Sequence, residues 1–472
     1  MEEKLLRYCE KAIEYGFYAL VFFVPLVVTP FTFELFEFPK MILVYFLTIL
    51  IVAAFLVKGI LVGKFNLRRT PLDLPILLYA ISYLLSTIFS IDRYTSIFGY
   101  YTRFNGGLLS LLAYVALYYI FVWEMGPEGP KGKGGKEGKR EKFVGALLFS
   151  SLLVSIYGIL QHFGIDKDYW VQDVQRRVFS TLGQPNWLAA YLVMILPLSL
   201  ALMTKNSKFQ ISNFKSISNI KRQIPKPYTL LSIVLYTAFW FTYSLSGLLG
   251  LVVAMAVFLI FVGRENLKSA LFPLLMVFLA WIVISALTLT PTISGRIQRI
   301  FEVIPKVSAA ETVASPSPPT GSTVKIRLAV WKGTLNLIRD HPFLGTGPET
   351  FAYAFLPYRP VELNQTAEWE FLYNKAHNEY LNLAATTGLF GLAAYLWIIG
   401  KFILWNTREF RRMKANESES ANVRILHAGI FAGWVGVLVS NFFGFSVVTT
   451  SLLFWLYMAL CNSYIGTRDR TS

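Results

Sequence analysis

The sequence predicts an all-α, polytopic membrane protein with about twelve transmembrane helices and one large outward-facing loop between the ninth and tenth spans. Three observations predict it. Hydrophobic residues make up 55% of the 472-residue chain and charged residues only 15%, which is too apolar for a water-soluble fold of this size. The apolar residues fall in runs close to the ~20 residues that a helix needs to cross the hydrocarbon core, and a backbone in lipid must satisfy its own hydrogen bonds, so these runs are helices. Lys and Arg, finally, are concentrated in every second loop between the runs, the pattern of a chain threaded back and forth across a membrane.

Taken in order, the runs lie near 15–30, 41–63, 72–90, 107–123, 143–162, 186–204, 228–244, 247–263, 269–290, 381–405, 425–443 and 447–465. Polar residues through Glu14 and no small-residue cleavage site mark the first run as a retained span instead of a removed signal peptide. Lys4, Arg7 and Lys11 precede the first run, and Lys64, Arg68 and Arg69 follow the second. Lys131, Lys133, Lys136, Lys139 and Arg140 follow the fourth. Lys205, Lys208, Lys215, Lys221, Arg222 and Lys226 follow the sixth. Arg264 and Lys268, then Arg408, Arg411, Arg412 and Lys414, then Arg468 and Arg470 complete the series. Basic loops face the cytoplasm, which puts both termini inside. The loops 31–40, 91–106, 163–185, a tight turn near Ser246, 291–380 and a turn near Gly444 then face outward.

The formal charge of +16 is explained by this loop bias, and no basic stripe of the kind that binds nucleic acid is present. Cys9 and Cys461 read as unpaired thiols near opposite ends of the chain. The Gly-Pro-Lys stretch 126–135 reads as a flexible basic tether, and 205–227 as a segment drawn to anionic headgroups of the inner leaflet. The chain divides into helices one to nine (1–290), the large loop (291–380) and the last three helices with the C-terminus (381–472).

The loop 291–380 is far longer than a connection between neighbouring helices requires, and such loops usually carry function. Its Ser-, Pro- and Thr-rich part, 309–323, reads as irregular. Lys325 to Arg339 places Ile326, Val330, Leu335 and Ile338 at helical spacing, an amphipathic helix fit to lie on the membrane surface. His377, at the start of the tenth span, suits general-base work because an imidazole titrates near ambient pH. The alternative is that His377 or Asn378 simply caps the helix. Arg327 offers a planar fork for a phosphate or diphosphate at headgroup level; the alternative is an interfacial arginine snorkelling to water. Arg103, in the glycine-flanked stretch 98–107, is an outward cation against the positive-inside trend, and Arg93 is a weaker example. His162, His341 and His427 read as boundary or core residues, and Asp166-Lys167-Asp168 as a chance pair of carboxylates. No zinc, P-loop or dinucleotide pattern is present.

An ordered set of short motifs resembles the O-antigen ligase family, which includes lipopolysaccharide O-antigen ligases, O-antigen polymerases and related bacterial oligosaccharide transferases. The set is Arg327-Leu328-Ala329-Val330-Trp331, His341-Pro342-Phe343-Leu344-Gly345-Thr346-Gly347, His377-Asn378-Glu379-Tyr380-Leu381, Gly388-Leu389-Phe390-Gly391, and, earlier, Gly183-Gln184-Pro185-Asn186-Trp187-Leu188-Ala189. The resemblance implies a multi-pass protein of the cytoplasmic membrane with an extracytoplasmic active site. It implies transfer of a glycan from an undecaprenyl-diphosphate carrier to a hydroxyl of a glycan, lipid or protein acceptor, without metal or other cofactor. His377 would take the acceptor's proton, Arg327 would hold the diphosphate, and Trp331, His341, Gly345, Gly347, Asn378 and Glu379 would support the loop. The family commonly carries Ser-Arg-Gly at the outer turn between the seventh and eighth spans. Here Leu245 stands where that arginine is expected, and Arg103 is the candidate to replace it.

Two other classes compete. A transporter of lipid-linked glycans would carry ionisable residues or broken helices within its spans, and few charges fall deep in any run. A lipid-phosphate glycosyltransferase of another class would use an acid in the first outer loop, where Glu34 and Glu37 lie, but the soluble C-terminal domain usual in that class is missing.

Overall fold

The computed structural model describes residues 2–65, 67–126, 135–205, 226–263, 323–366, 368–413 and 419–464, with scattered residues between 267 and 283. The ninth predicted span, the irregular 309–323 stretch, most of the basic tether and most of 205–227 lie outside the described residues. Within them the regular structure is helical and no strand occurs. The helices are α1 (Glu2–Phe23), α2 (Glu37–Val62), α3 (Asp73–Ile88), α4 (Arg93–Phe98), α5 (Leu108–Met125), α6 (Gly135–His162) and α7 (Pro185–Lys205). They continue as α8 (Lys226–Phe241), α9 (Leu245–Val262), α10 (Thr323–Asp340), α11 (Phe351–Ala354), α12 (Glu379–Met413), α13 (Glu419–Phe442) and α14 (Val448–Tyr464). Among the described residues, seven (α2, α5, α6, α7, α9, α12 and α13) are long and apolar enough to cross a membrane, and α3 and α8 are shorter apolar helices. The chain is a polytopic helical membrane protein.

Helix α7 is apolar on all sides and almost wholly buried, as such a helix must be. It packs against α13, and α13 packs against α9. Small residues let these backbones meet: a methyl on Gly433 would stand 2.2 Å from the Met194 carbonyl of α7, and one on Gly436 2.9 Å from the Gly250 carbonyl of α9. Close approach of this kind is how membrane helices associate where lipid tails remove the hydrophobic driving force. Cys9 and Cys461 are both free and buried.

The six loops that charge alternation reads as outward-facing meet at one end of this bundle. The Lys40 ammonium, buried at the start of α2, donates to the carbonyls of Val27 (2.9 Å), Phe36 (3.1 Å) and Thr181 (2.7 Å), tying the first loop to the third. Glu37 accepts the Val448 amide at the start of α14 (2.7 Å). Glu34 accepts the amides of Phe36 and Phe38 at the start of α2. Glu34 is thus occupied by backbone, and Glu37 keeps its second oxygen buried without a partner among the described residues. At the opposite end, Lys58–Glu124 (2.7 Å), Lys139–Glu14 (3.3 Å) and Lys205–Glu141 (3.7 Å) join the helix ends that carry the basic loops.

Helix α12 is 35 residues long and broken at Gly388 (φ 70°, ψ 179°), a backbone region open essentially to glycine alone. The break leaves backbone groups that need partners at membrane depth, and the 342–347 strap supplies them. Thr346 N–H reaches the Ala385 carbonyl (3.1 Å), Gly347 N–H the Thr386 carbonyl (2.8 Å), and Leu389 N–H the Pro342 carbonyl (2.7 Å). Ser86 of α3 adds bonds from its hydroxyl to the carbonyls of Leu344 (2.7 Å) and Thr386 (2.9 Å). The two motifs containing Gly345-Thr346-Gly347 and Gly388-Leu389-Phe390-Gly391 are therefore the two halves of one joint.

The expected amphipathic helix is present as α10, with a correction to its faces. Ile326, Val330 and Leu337 are buried against Phe351, Phe355, Leu363, Tyr373 and Ala376, while Leu335 is exposed. The apolar face thus closes a small core made by the loop itself, because at helical spacing Leu337 falls on the stripe begun by Ile326 and Val330, whereas Leu335 falls on the opposite side of the helix.

Replacing Gly388 by Ala is expected to destabilise the protein by at least roughly 1–3 kcal/mol, since a methyl there would lie 2.0 Å from the Phe343 carbonyl oxygen and the backbone would be strained. Gly400→Ala, further along α12 in open space, is expected to be neutral or stabilising by up to ~1 kcal/mol. Thermal unfolding of the two variants in nanodiscs measures the contrast; equal effects would show that the break can be made without glycine.

Candidate functional site

His377 stands immediately before α12. Its backbone is left-handed (φ 52°), and it is held there from both sides. Asn378 caps α12, its side chain accepting the Leu381 amide (3.0 Å), and Asn382 one turn on accepts the Ala376 amide (3.2 Å). The Ala376 carbonyl in turn accepts the Trp331 indole N–H from α10 (3.1 Å), and the Trp331 ring packs on Phe442 and Phe443 at the end of α13. An αL residue other than glycine costs ~1–3 kcal/mol and persists only where its surroundings fix it. These bonds do so.

The imidazole faces cations. Burial, then the guanidiniums of Arg327 and Arg103, pull the His377 pKa down from its ordinary value to about 4, because each disfavours a second positive charge at the site. The residue is neutral at neutral pH, the state a general base needs. Arg327, on α10, is itself pulled below its ordinary value by burial, against the opposing Glu368 carboxylate. Arg103 arrives from the second loop, its guanidinium over the rings of Trp187 (5.2 Å) and Phe445 (5.5 Å). Phe445 joins the groups together: its ring lies 5.6 Å from the His377 ring and 6.0 Å from the Lys375 ammonium. Cation–π contact of this kind fixes a guanidinium without neutralising it.

The three residues singled out from sequence thus come together from separate segments. Gly345 and Gly347 act at a distance, through the joint with α12. Glu379 accepts the Ser446 amide next to Phe445 (3.0 Å), holding the last loop against α12. His341 is exposed at the end of α10 and has no side-chain partner among the described residues, apart from the cluster. His162, half-buried at the end of α6, stacks on Phe241 (3.8 Å), and His427, in the core, bonds Asn406 (2.5 Å). Asp166 is occupied by Tyr157, Gln161 and Trp170.

Four site residues carried little signal in the sequence. Phe445 is one aromatic residue among many. Glu349, left-handed at φ 62°, pairs with Lys375 in an ion pair whose side chains are 5% and 11% exposed; only the polar run containing Lys375 marked it. Arg177, in the third loop, donates to the Thr242 carbonyl (3.0 Å) and to the Asn186 side chain (3.1 Å), which also accepts from Ser244 (2.8 Å). A guanidinium therefore does reach the turn where Leu245 replaces an arginine, from a different part of the chain. No group of three or more His, Cys, Asp or Glu with metal-binding geometry occurs among the described residues.

In solution, NMR titration of His377 is expected to give a midpoint near pH 4, moving upward in Arg327→Gln but staying below the ordinary histidine value, since burial is the larger cause. A midpoint near 6.5 in the wild type would contradict the cationic, part-buried setting.

A search of curated proteins finds no match to this chain. Residues 230–396 match the family model described as O-antigen ligase. That segment spans α8, α9, the long loop with Arg327 and His377, and α12 past its break at Gly388. Over these residues the chain is similar to the O-antigen ligase family.

Proposed function

We propose that this protein transfers a glycan from an undecaprenyl-diphosphate carrier to an acceptor hydroxyl at the outer face of the cytoplasmic membrane. The observation that carries the reading is the convergence of Arg103 and Arg327 on a neutral His377. In this reading the membrane part holds about twelve spans with both termini cytoplasmic, and 291–380 forms the extracytoplasmic loop bearing the site. The match of residues 230–396 to the O-antigen ligase family model supports the class of reaction.

In the proposed step His377 accepts the proton of the acceptor hydroxyl while that oxygen bonds to the anomeric carbon of the donor sugar. The bond from the anomeric carbon to the diphosphate oxygen breaks, and its electron pair leaves with the diphosphate. Arg327 and Arg103 stand where that charge grows, and fixed cations in a poorly solvated site stabilise it more than water does. A diphosphate is already a good leaving group, so positioning and charge are what the protein must add. Ligase and polymerase share this chemistry and differ only in whether the acceptor is a lipid, a protein or another glycan chain. The reaction is proposed to need no metal, and insensitivity to EDTA checks this.

The test is transfer in nanodiscs from a defined undecaprenyl-diphosphate glycan to lipid, protein and glycan acceptors. His377→Ala is expected to lower kcat roughly 10²- to 10⁴-fold, and Arg327→Ala and Arg103→Ala each roughly 10²- to 10³-fold, with thermal unfolding unchanged. Full transfer by the His377 variant would sink its role as base. Absence of product from the wild type with every acceptor would favour a transporter.

The pH profile gives an independent check. The acid limb of kcat/KM, which reports the free enzyme, is expected near pH 4. The acid limb of kcat is expected at higher pH, because a bound diphosphate offsets the two guanidiniums that disfavour the imidazolium. Coincident limbs would mean that the diphosphate does not sit beside His377.

A further inference from the structure

Beside the cationic cluster, with the Lys375 side chain in its lining, the helices form a partly open polar cavity of about 80 Å³. Three of its lining side chains are more than nine-tenths buried yet keep hydrogen-bonding atoms that no described residue satisfies. Tyr83 (7% exposed) accepts from Tyr79 at 3.4 Å, but its own O–H finds no acceptor. Asn105 (9%) uses its carbonyl oxygen for the Tyr114 hydroxyl (3.0 Å), leaving its NH₂ group without a partner. Asn382 (5%) uses its carbonyl oxygen for the Ala376 amide (3.2 Å) and likewise keeps its NH₂ free. Acceptors face these donors: the carboxylates of Glu349 and Glu379 line the same space, with Lys375 paired to Glu349. Trp455 contributes an aromatic wall.

A ligand that enters the cavity replaces water and must reproduce its hydrogen bonds, which selects for a guest with polar groups opposite these donors. The arrangement of amide and hydroxyl donors, carboxylate acceptors and an aromatic wall is that of a group rich in hydroxyls with an apolar face. At ~10–15 Å³ of such volume per water, the space holds several waters or on the order of one sugar ring. Two carboxylates against one ammonium disfavour an anion, so the cavity does not duplicate the diphosphate chemistry of the arginine cluster.

We propose that this cavity is a saccharide subsite that takes one uncharged pyranose ring. The ring belongs to the donor glycan or to the acceptor of the transfer proposed above, on which the inference rests. Lys375, which lines the cavity and shares the Phe445 ring with His377, forms the partition between ring and base. The unpaired donors of Tyr83, Asn105 and Asn382 bind the ring hydroxyls, and Glu349 and Glu379 accept from them.

The test reads binding without catalysis. Saturation-transfer NMR is recorded on the full chain in nanodiscs, free of sugar-headed detergent, with a panel of neutral methyl hexosides and methyl N-acetylhexosaminides and with methyl glucuronide as the anionic control. Neutral glycosides are expected to bind and the glucuronide to bind more weakly. Tyr83→Phe, which removes the unpaired donor together with the 3.4 Å bond from Tyr79, is expected to weaken binding roughly three- to ten-fold, and Asn105→Leu at least as much, with Gly400→Ala unchanged. Tighter binding of the glucuronide, no signal from any neutral glycoside, or equal binding by wild type and Tyr83→Phe would each overturn the subsite. In the transfer assay, a raised KM for the acceptor with kcat nearly unchanged in Tyr83→Phe assigns the ring to the acceptor, and a raised KM for the donor assigns it to the donor. Variant-sensitive sugar binding together with no transfer from any donor would overturn the transferase reading and leave the subsite standing.

Discussion

The structure of the site depends on one constraint: a helix broken at membrane depth must have its freed backbone groups bonded from outside. Gly388 breaks α12, and the Pro342–Gly347 strap bonds the exposed carbonyls and amides on both sides of the break. That joint fixes the direction of the first half of α12 relative to the loop that precedes it. The first half of α12 then carries the Asn378 cap and the Asn382 bond that hold His377 in a conformation it would not adopt alone. Residues with no chemistry of their own thus determine where the imidazole stands.

The other side of the site hangs on a second buried polar anchor. Lys40 takes three backbone carbonyls as partners, which satisfies all three of its N–H donors. With Glu37 holding the start of α14, it binds the first and third loops and the last helix into one end wall. Trp187 and Phe445, edge to face with each other, project from that wall and both hold the Arg103 guanidinium over their rings. A charge well inside an apolar chain reads as a candidate transport or catalytic group; full use of its donors by backbone makes Lys40 structural.

Charge is sorted within the site. Arg103 and Arg327 lie on the side of His377, and the carboxylates of Glu349 and Glu379 line the cavity together with Lys375. In a poorly hydrated setting such separation matters more than in water, because Coulomb interactions are less screened. It keeps the imidazole neutral and keeps the arginines from being neutralised by the nearest acids. The exceptions are Glu368, which opposes the effect of burial on Arg327, and Glu37, whose carboxylate interacts with the Arg103 guanidinium.

The sequence by itself determined that the chain is helical and membrane-embedded, because run length and composition are local properties and lipid leaves the backbone only one way to satisfy itself. It also picked out His377, Arg327 and Arg103, since a histidine at a span boundary and arginines in loops stand out against an apolar background. It did not give the face of α10, which is decided by the Phe351–Tyr373 core it packs on, nor the purpose of Gly345, Gly347 and Gly388, which only the joint explains. Phe445, the Glu349–Lys375 pair, Arg177 and the unpaired donors of Tyr83, Asn105 and Asn382 were invisible for the same reason. Their significance lies in what stands opposite them, and those partners come from segments as far apart in the chain as Glu37 and Val448. Only the packing of helices brings them within a few ångströms of each other, and distance, not order in the chain, sets the strength of a hydrogen bond or of an electrostatic interaction.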